Sequence, residues 1–331
     1  MARAYRGTVP VQGKGKQTMK KTKYPINKEY FPLSLYTPTM TPGGIARANR
    51  IYRAPKSIYK DPALNIRTLE IPGYKDGMIE LMIITPVGIE TPAPCFYHIH
   101  GGGFVFEATS AHYRRAVSFA KDAECIVAFV KYRQGSDYTF PYPQEDSYAA
   151  LVWLHEHAEE IGIDPDRIGI GGDSAGGTLT VTSCLMARDR ESGIKPLFQL
   201  LIYPFLDRRG ESESYRKYTD TPVWNSTLSK QVNKIIDPHP EEVPLEFRSP
   251  VEADSLEGLP QAYIEVAEFD ALRDDGILYS KLLQEAGVDV EFHDTNGTMH
   301  GYDYVTNAPT TLLMQVLRTE YMKRKFGEEE K

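Results

Sequence analysis

Six short apolar runs after residue 92 limit the architecture more than any other feature: "APCFYHIH", "CIVAFVKY", "RIGIGG", "LFQLLIYP", "QAYIEVAE" and "VDVEFHD". Most show little polar alternation, as strands covered on both faces do. Helix-like stretches separate most of them, and strands alternating with helices imply a mostly parallel sheet with helices on both sides. At 331 residues the chain suffices for one large α/β domain with a smaller accessory layer. An antiparallel hairpin precedes the runs, "IRTLEIPG" and "MIELMIITP" flanking an Asp76-Gly77 turn. A helix is expected over 145–161, with Tyr148, Leu151, Leu154, Ala158 and Ile161 at helical spacing and Gly162 as its stop. A second runs from about Asp275 to Ala286, and a third over 311–322 carries Leu313, Val316, Leu317 and Tyr321 on one side.

Two stretches break the rhythm. Residues 1–60 are rich in Pro, Tyr and basic side chains, and 207–250 is long, polar and studded with aromatics, as lids or disordered segments are. The start of the chain, with Arg3, Arg6, Lys14, Lys16, Lys20, Lys21 and Lys23 and no acid before Glu29, reads as a solvated tail. The net charge of −7 argues against nucleic acid as a partner, because phosphate binding needs a basic surface. No apolar stretch reaches the ~20 residues of a membrane span, and no h-region follows the N-terminal charges. Cys95, Cys125 and Cys184 form an odd set without metal-ligand spacing, which fits reduced thiols and a cytoplasmic location.

In "IGIGGDSAGGTL" an apolar run ends on a serine hemmed in by glycines. The frame Gly172-Asp173-Ser174-Ala175-Gly176 is that of a nucleophile elbow, a tight strand-to-helix turn that lifts one hydroxyl above a sheet edge. Free N–H groups at the helix start favour developing negative charge there. The frame alone occurs by chance in glycine-rich turns, so its company decides. Upstream, His100-Gly101-Gly102-Gly103 leaves a strand as a loop of available N–H groups, and it lacks both the phosphate-loop and the dinucleotide fingerprint. Downstream come the acids of "FDALRDDG" and His300 in "GTMHGY", giving the order Ser, Asp, His expected of α/β-hydrolases.

With "HGGGF", "YRQGSDYTFPYPQEDSYAALVWL", "GDSAGG", "SPVEADSLEGLPQAYIEVAEFDALRDDG" and "HGY", the chain resembles the hormone-sensitive-lipase-like carboxylesterases of the α/β-hydrolase superfamily over residues 65–325. The resemblance implies an α/β-hydrolase core over 61–206 and 251–331, and a helical cap built from 1–60 and 207–250 with Trp224 in it. It departs from the family at Gln134-Gly135-Ser136-Asp137, where Leu-Ala-Pro-Glu is usual, and at Tyr302, where Phe is common. The first change bears on pocket shape.

The expected function is hydrolysis of short acyl esters, of about two to eight carbons, through an acyl-enzyme. Ser174 is the expected nucleophile, His300 the base, and the N–H groups of Gly102, Gly103 and Ala175 the oxyanion hole. Among Glu268, Asp270, Asp274 and Asp275, the first is held by its strand and the last two are placed to cap the next helix, so Asp270 is left to orient His300; the family motif points to the same position. The partner is a small-molecule ester, with no nucleic acid, no stable membrane insertion and a homo-oligomer left open. Neither cofactor nor metal is expected: His98 and His100 sit two apart without a further ligand nearby, and are read as a packed side chain and a loop-orienting one. Asp173 is expected to brace the elbow. Amide cleavage by the same residues, or a non-catalytic binder on the same fold, are the competing readings.

Overall fold

The computed structural model describes residues 23–327. The basic stretch 1–22 and the acidic tail 328–331 lie outside them. One eight-stranded sheet runs through the molecule in the order β1-β2-β4-β3-β5-β6-β7-β8. Its strands are β1 Leu64–Pro72, β2 Met78–Pro86, β3 Ala93–Ile99, β4 Ile126–Lys131, β5 Ile163–Asp173, β6 Gln199–Ile202, β7 Ala262–Phe269 and β8 Val290–Met299. The first hairpin is antiparallel and β2 meets β4 antiparallel, while all other pairings are parallel. Lys75 and Asp76, not Asp76 and Gly77, occupy the hairpin centre, with φ of 48° and 51°. Both central residues of such a turn need positive φ, which Asp tolerates, and Gly77 closes it by donating to the Tyr74 carbonyl at 3.3 Å.

The helices are α1 Pro42–Ile51, α2 Ser110–Asp122, α3 Tyr142–Glu156, α4 Ala158–Ile161, α5 Ala175–Asp189, α6 Glu213–Lys217, α7 Ser226–Ile236, α8 Leu245–Arg248, α9 Arg273–Glu285 and α10 Pro309–Gly327. Strand residues alternate between two cores as the pleat dictates. Tyr97, Ile99, Ala128, Val130 and Ile264 face the helices α3, α5 and α9, whereas Phe96, Val127, Phe129 and Tyr263 face α2 and α10. The helix expected over 145–161 is broken at His157, and Gly162 ends it at φ 83°. No helix among the described residues is long and apolar enough to cross a membrane.

The buried face of α10 matches the expected one at Tyr321 and partly at Leu317, and differs at the other two positions. Leu313 and Val316 are exposed, while Met314, Arg318, Tyr321, Met322 and Phe326 point inward. The reason is ionic: Arg318 is buried against Glu265 of β7 and Asp303, and this pairing fixes the rotation of the helix.

Candidate active site

Ser174 stands between β5 and α5 with φ 54° and ψ −119°, a conformation rare for a residue with a Cβ. Its neighbours make the turn sterically feasible. A Cβ on Gly172 would lie 2.4 Å from the Ile99 carbonyl oxygen, and one on Gly176 would lie 2.1 Å from the same atom, so α5 can close on β3 only where side chains are missing. The Ser174 backbone is held from both sides, its N–H donating to the Ile202 carbonyl at 2.9 Å and its carbonyl accepting from Phe205 at 3.0 Å. The hydroxyl lies 2.9 Å from Nε2 of His300, whose Nδ1 lies 2.6 Å from Oδ2 of Asp270. All three residues are buried. Asp270 is the first residue past the end of β7, and its other oxygen accepts from the Leu272 N–H at 3.0 Å.

The remaining acids are occupied elsewhere. Glu268 accepts from the Gly297 N–H at 2.7 Å. Asp274 and Asp275 do not cap α9, which starts two residues before Asp275, at Arg273, with no side-chain cap. Asp274 accepts from the Ser214 N–H at 2.8 Å, and Asp275 from those of Leu206 and Asp207. Both thereby tie α9 to the chain that leaves β6.

Above Ser174 the glycine loop bends at Gly102 and Gly103, with φ of 118° and 59°. The N–H groups of Gly102, Gly103 and Ala175 meet no acceptor among the described residues. His100 anchors the loop from below: its Nδ1 lies 2.6 Å from the Gly101 carbonyl oxygen and its ring stacks on Tyr132 at 4.6 Å. Burial pushes the His100 ring down to about 3, so it is neutral and donates through Nδ1. His98 is packed among Phe96, Phe119 and Phe129. Trp224 is buried with its ring against Gly103 and 6.1 Å from that of His300, held by a 2.9 Å bond from Nε1 to Ser229. Tyr36 and Tyr52 complete the same pocket from ahead of β1, and the Val223 N–H donates to the Tyr36 carbonyl at 2.7 Å across its rim.

The sequence profile described as the alpha/beta hydrolase fold matches residues 96–304. The chain belongs to that family. Carboxylesterase NlhH of Mycobacterium tuberculosis is 34% identical over 264 residues, 78% of this chain and 81% of that protein. Esterase LipI of the same organism is 38% identical over 217 residues, 64% of this chain and 67% of that one. Among solved structures, a bacterial heroin esterase superposes with a TM-score of 0.82 at 32% identity, covering 92% of this chain and 98% of the other. The hydrolase is a hormone-sensitive-lipase-like carboxylesterase, an ester hydrolase of the serine class.

Beneath the site the hydrolase buries a chain of charges that sequence reading missed. Asp173, next to Ser174, pairs with Arg115 of α2 at 2.7 Å and with His112 at 3.1 Å. Burial alone would raise the Asp173 carboxyl, but Arg115 and His112 hold it well below the usual carboxylate range. Arg115 also reaches Asp303 at 2.8 Å, three residues beyond His300, and Asp303 continues to Arg318 at 2.9 Å and thence to Glu265. Tyr203 bridges the cluster, donating to Asp303 at 2.5 Å with its ring 4.7 Å from that of His300. The Tyr302 hydroxyl, the departure noted above, donates to Glu265 at 2.7 Å. Only the bracing role of Asp173 had a sequence signal; its partners lie 58 and 61 residues away with no motif of their own. Arg115→Leu leaves Asp173 and Asp303 without a shared cation, and should lower stability by about 3–5 kcal/mol in urea unfolding. An unchanged midpoint would show that the cluster contributes nothing to the fold.

Proposed function

We propose that the hydrolase cleaves short acyl esters through Ser174, His300 and Asp270. The observation carrying this reading is the unbroken hydrogen-bonded line from Ser174 Oγ through His300 to Asp270, at 2.9 and 2.6 Å, on the floor of an aromatic pocket. Ser174 Oγ attacks the ester carbonyl while His300 Nε2 takes its proton, and the carbonyl oxygen becomes an oxyanion between the N–H groups of Gly102, Gly103 and Ala175. Collapse of this intermediate expels the alcohol, which receives the proton from His300. Water then attacks the acyl-enzyme with His300 again as base, releasing the acid and free Ser174. Asp270 accepts the Nδ1 proton, which leaves Nε2 free for Ser174 and stabilises the imidazolium.

The described residues ahead of β1 and the segment 207–250 act as the cap. Tyr36, Tyr52 and Trp224 crowd the space over Ser174 and favour acyl groups of about two to eight carbons, since each added methylene gains little where walls are close. A burst of 4-nitrophenol from 4-nitrophenyl acetate, with an organophosphate label recovered on the Ser174 peptide, is the expected result. In a chain-length series, rates should fall beyond the eight-carbon ester; a preference that keeps rising past about twelve carbons would refute the short-chain reading.

A further inference from the structure

Beyond Gly103 the loop runs through Phe106 to Glu107, which lines the same pocket as Ser174. Its backbone is pinned by Asn49 of α1, whose side chain accepts from the Glu107 N–H at 3.0 Å and donates to the Val105 carbonyl at 2.9 Å. The Glu107 carboxylate itself makes no hydrogen bond or ion pair among the described residues, although the residue is half-buried. Among the described residues that line the pocket, no Asp, Lys or Arg joins it. Aromatic side chains share the lining of the pocket with it: Tyr36, Tyr52, Phe106, Trp224 and Tyr304.

An acid is out of place in a site that binds only neutral esters. Bringing such a substrate in strips water from the carboxylate and returns no counter-charge. An ammonium group reverses both effects: it pairs with the carboxylate, and its positive face is attracted by the aromatic rings. We infer that Glu107 selects esters whose alcohol carries a positively charged ammonium group. The charge is assigned to the alcohol because the acyl group is short. The inference rests on the ester-hydrolase reading and adds a substrate class to it.

Acetylcholine and its uncharged carbon analogue 3,3-dimethylbutyl acetate have the same shape and the same acyl group. The change in the ratio of their kcat/KM values from one variant to the next therefore isolates the charge interaction and cancels the intrinsic difference between the two leaving alcohols. In the unmodified hydrolase this ratio should exceed unity. It should drop about tenfold in Glu107→Gln, the magnitude of one partly solvated charge pair, and further in Glu107→Lys, where the pair becomes repulsive. A ratio that is the same in all three proteins overturns the role of Glu107. So does failure to cleave either choline-shaped ester while 4-nitrophenyl acetate is turned over. Absence of turnover with every ester, 4-nitrophenyl acetate included, overturns the hydrolase reading instead, and this inference with it.

Discussion

Ser174→Ala should lower the turnover of 4-nitrophenyl acetate by about a millionfold, the size of effect seen when the nucleophile of a serine hydrolase is removed. In the proposed mechanism the hydroxyl forms the acyl bond, and among the described residues it is the side-chain oxygen that hydrogen-bonds His300 Nε2, at 2.9 Å. On the proposed mechanism the residual rate would come from the N–H groups of Gly102, Gly103 and Ala175, which would still bind an oxyanion formed by direct attack of water. The fold should survive, because alanine has the same backbone demands at φ 54° and the turn is held by main-chain bonds to Ile202 and Phe205. Urea unfolding should therefore show a midpoint near that of the unmodified protein. An alanine variant that folds and still takes an organophosphate label at the active site would refute the assignment of the nucleophile.

What the sequence discloses about this molecule depends on how far apart the interacting residues are. The elbow is local: Gly172, Ser174 and Gly176 fall within five residues, and the steric demand they answer can be read from the string alone. The sheet is nearly as plain, because strands covered on both faces stay apolar whichever neighbours they meet. Asp270 and His300 emerge from chain order and from where β7 ends. The charge chain from Asp173 to Glu265 is different in kind. Arg115 and Arg318 sit on helices where a cation ordinarily faces water, and only the folded arrangement buries them against acids distant in the chain. The error in the buried face of α10 has the same origin. Apolar spacing favoured Leu313 and Val316, but the cost of leaving Glu265 and Asp303 without Arg318 exceeds the gain from covering two aliphatic side chains. Glu107 escaped notice because a single acid in a loop carries no pattern, and its meaning comes from the pocket it lines with Ser174.

Asp270→Asn should lower turnover by up to about 10⁴-fold with little change in fold. The carboxylate accepts from His300 Nδ1 at 2.6 Å, and an asparagine whose amide nitrogen faced the ring would instead donate to Nδ1. The imidazole proton would then move to Nε2, the atom that must be bare to take the proton from Ser174. The imidazolium formed during attack would also lose its anionic neighbour. Asp274, four residues on, is the natural control. It accepts from the Ser214 N–H at 2.8 Å and so anchors α6 rather than capping α9. Asp274→Asn keeps an acceptor oxygen for that bond and loses the charge assistance, so it should cost about 1 kcal/mol of stability and leave turnover nearly unchanged. The two variants, compared by 4-nitrophenyl acetate turnover and urea unfolding, separate the acid that works through His300 from the acid that holds the neighbouring chain. Near-full turnover in Asp270→Asn together with its loss in Asp274→Asn would assign the orienting carboxylate to the wrong end of this stretch.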